Sequence, residues 1–199
     1  MDDDPFKIVH YVNCNWFRNE LPVFQSAVRA IQRMLPYENR KGWEITCGAG
    51  LFSRALDIPN LSIQSLFPPR FDAKQSHYLQ LPFENLGLDF IFISYCEGHI
   101  LDLSAIYDEV YRALKSNGVL VVAFIDSKSP DGKAYIEDPA EDLAPDAERI
   151  LLDLTNAGFR NFEFAQTLFA PPDQIKAVQN TKPGYGEGSF VVIQAHKKV

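Results

Sequence analysis

The chain has 199 residues, 46% hydrophobic and 23% charged, a composition typical of a folded globular protein with a substantial core. Its net charge of −7 argues against general binding to nucleic acid, and its longest apolar run, residues 119–125, is too short to cross a membrane. The three cysteines have no C-x-x-C spacing and the N-terminus has no signal-peptide pattern, so we predict a cytoplasmic protein with reduced thiols and no metal site.

Helices and strands alternate along the chain. Phe24, Val28, Ile31 and Leu35 recur at helical spacing, and Pro36 ends that first long helix. Runs of strand length and composition predict strands at 42–47, 61–67, 88–95, 119–125, 159–169 and 188–198. A further strand, the third in chain order, is expected after residue 75, so that 88–95 is the fourth. Between them, helices are predicted at 51–56, 103–118 and 146–157.

The order of these elements predicts the fold. An apolar stripe indicates the helix at 103–118, with Asn117 and Gly118 as its left-handed stop. The last two strands are joined by a stretch rich in proline and glycine instead of a helix, so we expect them to be antiparallel. We therefore predict an α/β fold: a three-layer Rossmann-like sandwich with a mostly parallel seven-stranded sheet and a C-terminal antiparallel hairpin.

A glycine turn follows the first predicted strand. In open parallel sheets, ligands bind beyond the carboxyl ends of the strands, and Gly48 and Gly50 lie at the first such end. They match a dinucleotide-binding G-x-G-x-x-G pattern only in part, because Ser53 occupies its third position. The two glycines could equally serve a tight connection alone.

Further features of the sequence, around and beyond the glycine turn, indicate what the turn binds. Glu44 precedes it, "LPFE" (81–84) precedes the strand at 88–95, "DEVYRALKSNG" leads into "VLVVAFID", and "GYGEGSFVVIQAHK" follows near the end. Together they resemble the class I S-adenosylmethionine-dependent methyltransferases, in particular the methyltransferase type 11 group that includes ubiquinone- and menaquinone-biosynthesis enzymes. The resemblance runs from about residue 24 to 197 and implies one methyltransferase-like domain over 1–199. Residues 1–36 would be an N-terminal helical segment serving as a lid, although its aromatic residues also suit a core.

The resemblance implies a set of cofactor-binding residues. Glu44 would bind the ammonium group of S-adenosylmethionine, Gln64 the ribose hydroxyls, and Tyr78 would stack on the adenine. Ser94 and Tyr95, at the end of the strand at 88–95, would also contact the cofactor. The remaining positions form the loop after the first strand: Thr46, Cys47, Gly48, Ala49 and Gly50.

Four departures from the family pattern affect this site. Thr46 replaces the first glycine of the loop, and Gln64 replaces a carboxylate, which would weaken cofactor binding about tenfold. Residues 76–80 contain no acid to meet the adenine amine, and only a short proline-bearing connection leads from the second strand to the third. An alternative therefore stays open: a methyltransferase-like binding or regulatory protein that has lost its cofactor.

The substrate side is predicted at "SYCEGHILD". Glu97 and His99 are candidate general bases, and the ordinary pKa of histidine suits that role. His99 could equally be a surface histidine of the loop. The favoured function is S-adenosylmethionine-dependent methylation of a small molecule, ahead of the binding-protein alternative and of a nicotinamide-dependent oxidoreductase.

Overall fold

The computed structural model describes residues 14–36, 40–46, 51–56, 61–65, 87–95, 103–136 and 145–198. Elements are numbered in chain order. The helices are α1 (Cys14–Asn19), α2 (Leu21–Met34), α3 (Leu51–Leu56), α4 (Leu103–Ala113) and α5 (Ala147–Asn156). The strands are β1 (Gly42–Thr46), β2 (Leu61–Ser65), β3 (Leu88–Tyr95), β4 (Leu114–Ile125), β5 (Phe159–Thr167), β6 (Lys182–Pro183) and β7 (Phe190–Lys197). Short 3-10 helices cover Gly132–Tyr135 and Pro172–Gln174.

Within these ranges seven strands form one sheet, in the order β2-β1-β3-β4-β7-β5-β6. β2, β1, β3 and β4 are parallel, whereas β7 runs antiparallel to both β4 and β5. This confirms a mostly parallel sheet that ends in an antiparallel hairpin. β6, which pairs with β5 at two positions, was not predicted. The third strand expected after residue 75 lies outside the described residues.

Helices cover both faces of the sheet, so the molecule has the predicted three layers. Side chains alternate along β3, and consecutive residues enter opposite cores. Phe90 and Phe92 pack with residues of α1, α2 and α3, whereas Ile91 and Ile93 pack with residues of α4 and α5. The apolar run at 88–95 is continuous because both of its faces are buried.

Helix α2 forms part of the first of these layers. Its buried residues recur at helical spacing: Val23, Ser26, Ala27, Ala30, Ile31 and Met34. The hydroxyl of Ser26 accepts a 2.9 Å hydrogen bond from the backbone N–H of Gln179, and the side-chain amide of Gln194 donates to the carbonyl of Met34. The helix is thus fixed to the C-terminal part of the sheet, and a lid role for residues 1–36 stays a prediction.

Helix α4 ends earlier than its sequence pattern predicted. It stops at Ala113, and Leu114 is already the first residue of β4. Asn117 has the expected left-handed φ of 62°, but it lies within β4 instead of ending a helix. Leu114 is buried, as the apolar stripe required, and its Cα pairs with Leu88 of β3. The apolar spacing therefore identified the buried residue but not the element that contains it.

Candidate cofactor site

The ends of three parallel strands lie level at one edge of the sheet. Thr46, the last residue of β1, has Ser65 of β2 and Ser94 of β3 as its Cα partners. Residues 47–50 connect Thr46 directly to the start of α3. This carboxyl edge is the place where open α/β folds bind ligands.

Glu44 and Ser94 meet just inside this edge. The Ser94 hydroxyl donates a 2.9 Å hydrogen bond to Oε1 of Glu44, and this contact joins β1 to β3. The Glu44 side chain is fully buried and Ser94 is 2% exposed. Both residues alternate with Ile45 and Ile93 and therefore lie on the α2 and α3 side of the sheet. A carboxylate held within a core in this way is costly, and such groups concentrate at binding sites.

The structure also describes the backbone of two residues that depart from the family pattern. Thr46 belongs to β1 and has the extended backbone that a β-branched residue adopts without strain. Its replacement of a glycine is therefore compatible with the strand. Gln64 lies in β2, with Ile45 as its Cα partner, one residue before the strand ends. Its contact with the ribose stays a prediction.

The remaining predicted site residues divide into two groups. Tyr95 is the last residue of β3 and has Phe124 of β4 as its Cα partner, so it lies at the same edge as Thr46 and Ser94. The others lie outside the described residues, and their roles stay predictions: Cys47, Gly48, Ala49, Gly50, Tyr78, Glu97 and His99.

Asp126 is a buried acid at the carboxyl end of β4 that the sequence analysis did not single out. Its carboxylate accepts a 3.1 Å hydrogen bond from the backbone N–H of Lys128, and its backbone N–H donates to the carbonyl of Ser189. Burial raises the pKa of Asp126, although bonds from the backbone of Lys128 and Ala147 oppose that rise. Its position directly after the run "VLVVAFI" was the available signal, because strand ends of parallel sheets face the ligand edge.

A second missed residue, Gln166, holds the segment that follows β5. Its side-chain oxygen accepts hydrogen bonds from the backbone N–H groups of Glu187 and Gly188, at 2.9 and 2.8 Å. Its amide nitrogen donates to the carbonyl of Pro183 at 3.2 Å. β5 runs in the same direction as β4, so its end at Thr167 and the following residues flank the carboxyl edge. A lone glutamine in an alternating strand carries no sequence signal for this role.

Comparisons with known proteins agree with this geometry. A family model described as a methyltransferase domain matches residues 43–122, a range that includes both Glu44 and Ser94. A solved structure from Thermotoga maritima, described as a SAM-dependent methyltransferase and possible histamine N-methyltransferase, is similar with a TM-score of 0.75 and 27% identity. That similarity covers 92% of this chain and 93% of the other. These two findings support the resemblance to the class I S-adenosylmethionine-dependent methyltransferases.

Other relatives share the same extent of chain. An uncharacterized protein of Methanocaldococcus jannaschii is 27% identical over 194 residues, which cover 92% of this chain and 93% of that protein. A SAM-dependent methyltransferase of Archaeoglobus fulgidus shares the fold, with a TM-score of 0.57 and 13% identity over 92% of this chain and 97% of that one. Within the described ranges of the chain, no helix combines the length and apolar character of a membrane span.

Proposed function

We propose that this protein transfers a methyl group from S-adenosylmethionine to a small molecule. The observation that carries the proposal is the buried carboxylate of Glu44 at the carboxyl edge, bonded to Ser94 at 2.9 Å. Burying a carboxylate is unfavourable unless charged or hydrogen-bonding groups surround it. The ammonium group of the cofactor is such a group, so Glu44 suits the amino-acid end of S-adenosylmethionine, the position that the resemblance to the family also implies.

The cofactor brings an activated methyl group on a sulfonium, so this chain has only to bind, orient and deprotonate. Glu44 would fix the ammonium end, and Gln64 would accept hydrogen bonds from the ribose. Tyr78 would stack on the adenine, while residues 46–50 and Tyr95 would line the cofactor. Glu97 or His99 would remove a proton from the methyl acceptor.

The class of acceptor follows from charge and size. With a net charge of −7, the protein would repel the phosphates of nucleic acids, and a small molecule is the better candidate. We also propose that residues 1–199 act as one domain in the cytoplasm, in keeping with three cysteines that have no C-x-x-C spacing in the sequence.

Thermal unfolding with added ligand tests the cofactor directly. A ligand at one hundred times its dissociation constant stabilises the folded state by about 2.7 kcal/mol. In a protein of this size that corresponds to a rise in Tm of roughly 5–10 °C. We expect this rise with S-adenosylmethionine and S-adenosylhomocysteine and no rise with NAD, the control ligand. A flat titration up to millimolar concentration would exclude the enzyme.

One observation favours a second candidate, a binding or regulatory protein without the cofactor. Gln64 stands where the family has an acid, and an amide oxygen accepts only neutral hydrogen bonds from the ribose. The same titration distinguishes the two functions. A binding protein without the cofactor should unfold at a normal Tm, and neither S-adenosylmethionine nor S-adenosylhomocysteine should raise that Tm. Methyl transfer to a panel of small amines, thiols and phenols then identifies the acceptor.

A further inference from the structure

We infer that Ser94 is a positioning residue, which acts on the cofactor through Glu44 instead of binding the cofactor with its own proton. The inference rests on the proposed function and assigns a separate role within the same site. Ser94 is the Cα partner of Thr46 and lies two residues nearer the strand end than Phe92, the Cα partner of Glu44. The two side chains reach each other along one face of adjacent strands.

The direction of the hydrogen bond decides the role of the serine. An ionised carboxylate can only accept, so the single hydroxyl proton of Ser94 is committed to Oε1 of Glu44. Ser94 has no second proton to donate to the cofactor. The Ser94 oxygen can still accept a hydrogen bond, but the carboxylate of the cofactor's amino-acid end needs a donor, which Ser94 cannot provide.

Positioning matters here because a glutamate side chain is flexible. Ordering such a side chain on binding costs on the order of 1.5–2 kcal/mol, and a site that is ordered beforehand avoids this loss. Ser94 is itself rigid, since β3 is paired with β1 on one side and β4 on the other. The hydrogen bond from Ser94 therefore holds the Glu44 carboxylate in one conformation before the ammonium group of the cofactor binds.

Two ligands that differ only at the amino-acid end test this role. S-Adenosylhomocysteine has the ammonium group, whereas 5′-methylthioadenosine keeps the adenosine and sulfur but lacks it. We expect Ser94→Ala to raise the dissociation constant of S-adenosylhomocysteine about tenfold and to leave that of 5′-methylthioadenosine unchanged. Equal weakening of both ligands would show a general structural role and overturn the inference.

A double-mutant cycle supplies a second criterion. If Ser94 acts through Glu44, the double variant Glu44→Gln with Ser94→Ala should bind S-adenosylhomocysteine no more weakly than Glu44→Gln alone. Losses that add in full would overturn the inference. If Ser94→Ala fails to fold, Ser94→Cys serves in its place, because the thiol is similar in size and only a weak donor. Ser94→Cys should weaken the binding of S-adenosylhomocysteine and leave that of 5′-methylthioadenosine unchanged. Weaker binding of both ligands would again overturn the inference.

The matched control is Ser129, another buried serine at the carboxyl edge, whose hydroxyl donates to the carbonyl of Asp126 at 2.8 Å. Ser129→Ala should change the affinity for neither ligand. The wild-type protein separates the two proposals: binding of neither adenosyl ligand would refute the proposed function, whereas wild-type binding with an unaffected Ser94→Ala would refute this inference alone.

Discussion

The ammonium group of Lys197, on β7, donates a 2.8 Å hydrogen bond to the carbonyl oxygen of Leu114, where α4 passes into β4. It also donates to the carbonyl of Tyr111 and lies 4.6 Å from the centre of the Tyr111 ring. The last carbonyls of a helix have no partner within it, and a cation there also complements the helix dipole. A residue of β7 thus fixes the junction between α4 and the neighbouring strand β4.

Removing this contact should destabilise the protein. Lys197→Met leaves two carbonyls without their donor, and we expect the free energy of unfolding to fall by about 1–3 kcal/mol at pH 7 in urea titrations. Burial lowers the pKa of Lys197, so the unfolded chain holds the extra proton between that pKa and 10.5. Wild-type stability should therefore rise with pH in this window relative to the variant. Lys198→Met, at an exposed side chain, is the control and should have little effect.

Asp126 should make stability depend on pH in the direction opposite to most carboxylates. Its pKa is raised above 3.8, so in the window above 3.8 the folded state binds more protons than the unfolded state. Stability from this group is present at low pH and is lost as the pH rises through the folded pKa. In Asp126→Asn this fall should disappear when unfolding is measured from about pH 3.5 to 7. Exposed Asp108→Asn should retain the wild-type slope.

Glu44 should control cofactor affinity more than stability. Glu44→Gln keeps the shape of the side chain but replaces charged hydrogen bonds by neutral ones, so we expect S-adenosylmethionine to bind about tenfold or more weakly in calorimetry. The Tm without ligand should change little, because an amide is less costly to bury than a carboxylate. Glu163→Gln, on the exposed face of β5, is the control. Unchanged affinity in Glu44→Gln would contradict the assignment of Glu44 to the cofactor.

Position 64 offers a gain of function. Gln64→Asp restores the charged acceptor of the family, and we expect S-adenosylmethionine to bind about tenfold more tightly. The exposed Gln174→Asp, in the 3-10 helix after β5, should leave affinity unchanged. Absence of any gain at position 64 would favour the alternative function, in which the cofactor pocket is no longer formed.

Local patterns in the sequence predicted most of the described fold. The run at 88–95 matched β3 residue for residue, because a strand buried on both faces must be apolar throughout. The end of α4 could not be predicted, since it depends on distant partners. Lys197 binds the carbonyl of Leu114, and Lys115 forms a 2.7 Å ion pair with Asp89 of β3.

In the candidate site, too, individual residues could be predicted from the sequence, whereas the contacts between them could not. Glu44 and Ser94 were each named as candidate cofactor residues through the resemblance to the family. The hydrogen bond between them joins residues 50 positions apart, and only the parallel pairing of β1 with β3 brings them together. Gln166 was missed for the same reason, because its partners belong to a returning segment with no periodic pattern.

The place of β7 between β4 and β5 has a consequence for how the protein is made. When residues 114–167 have left the ribosome, β4 and β5 are both synthesised, yet the strand that must separate them does not exist. β4 then lacks one neighbouring strand and β5 lacks both, and exposed strand edges are prone to aggregation. Completion of the sheet has to wait for residues 190–197, so a nascent chain stalled before them should depend on chaperones.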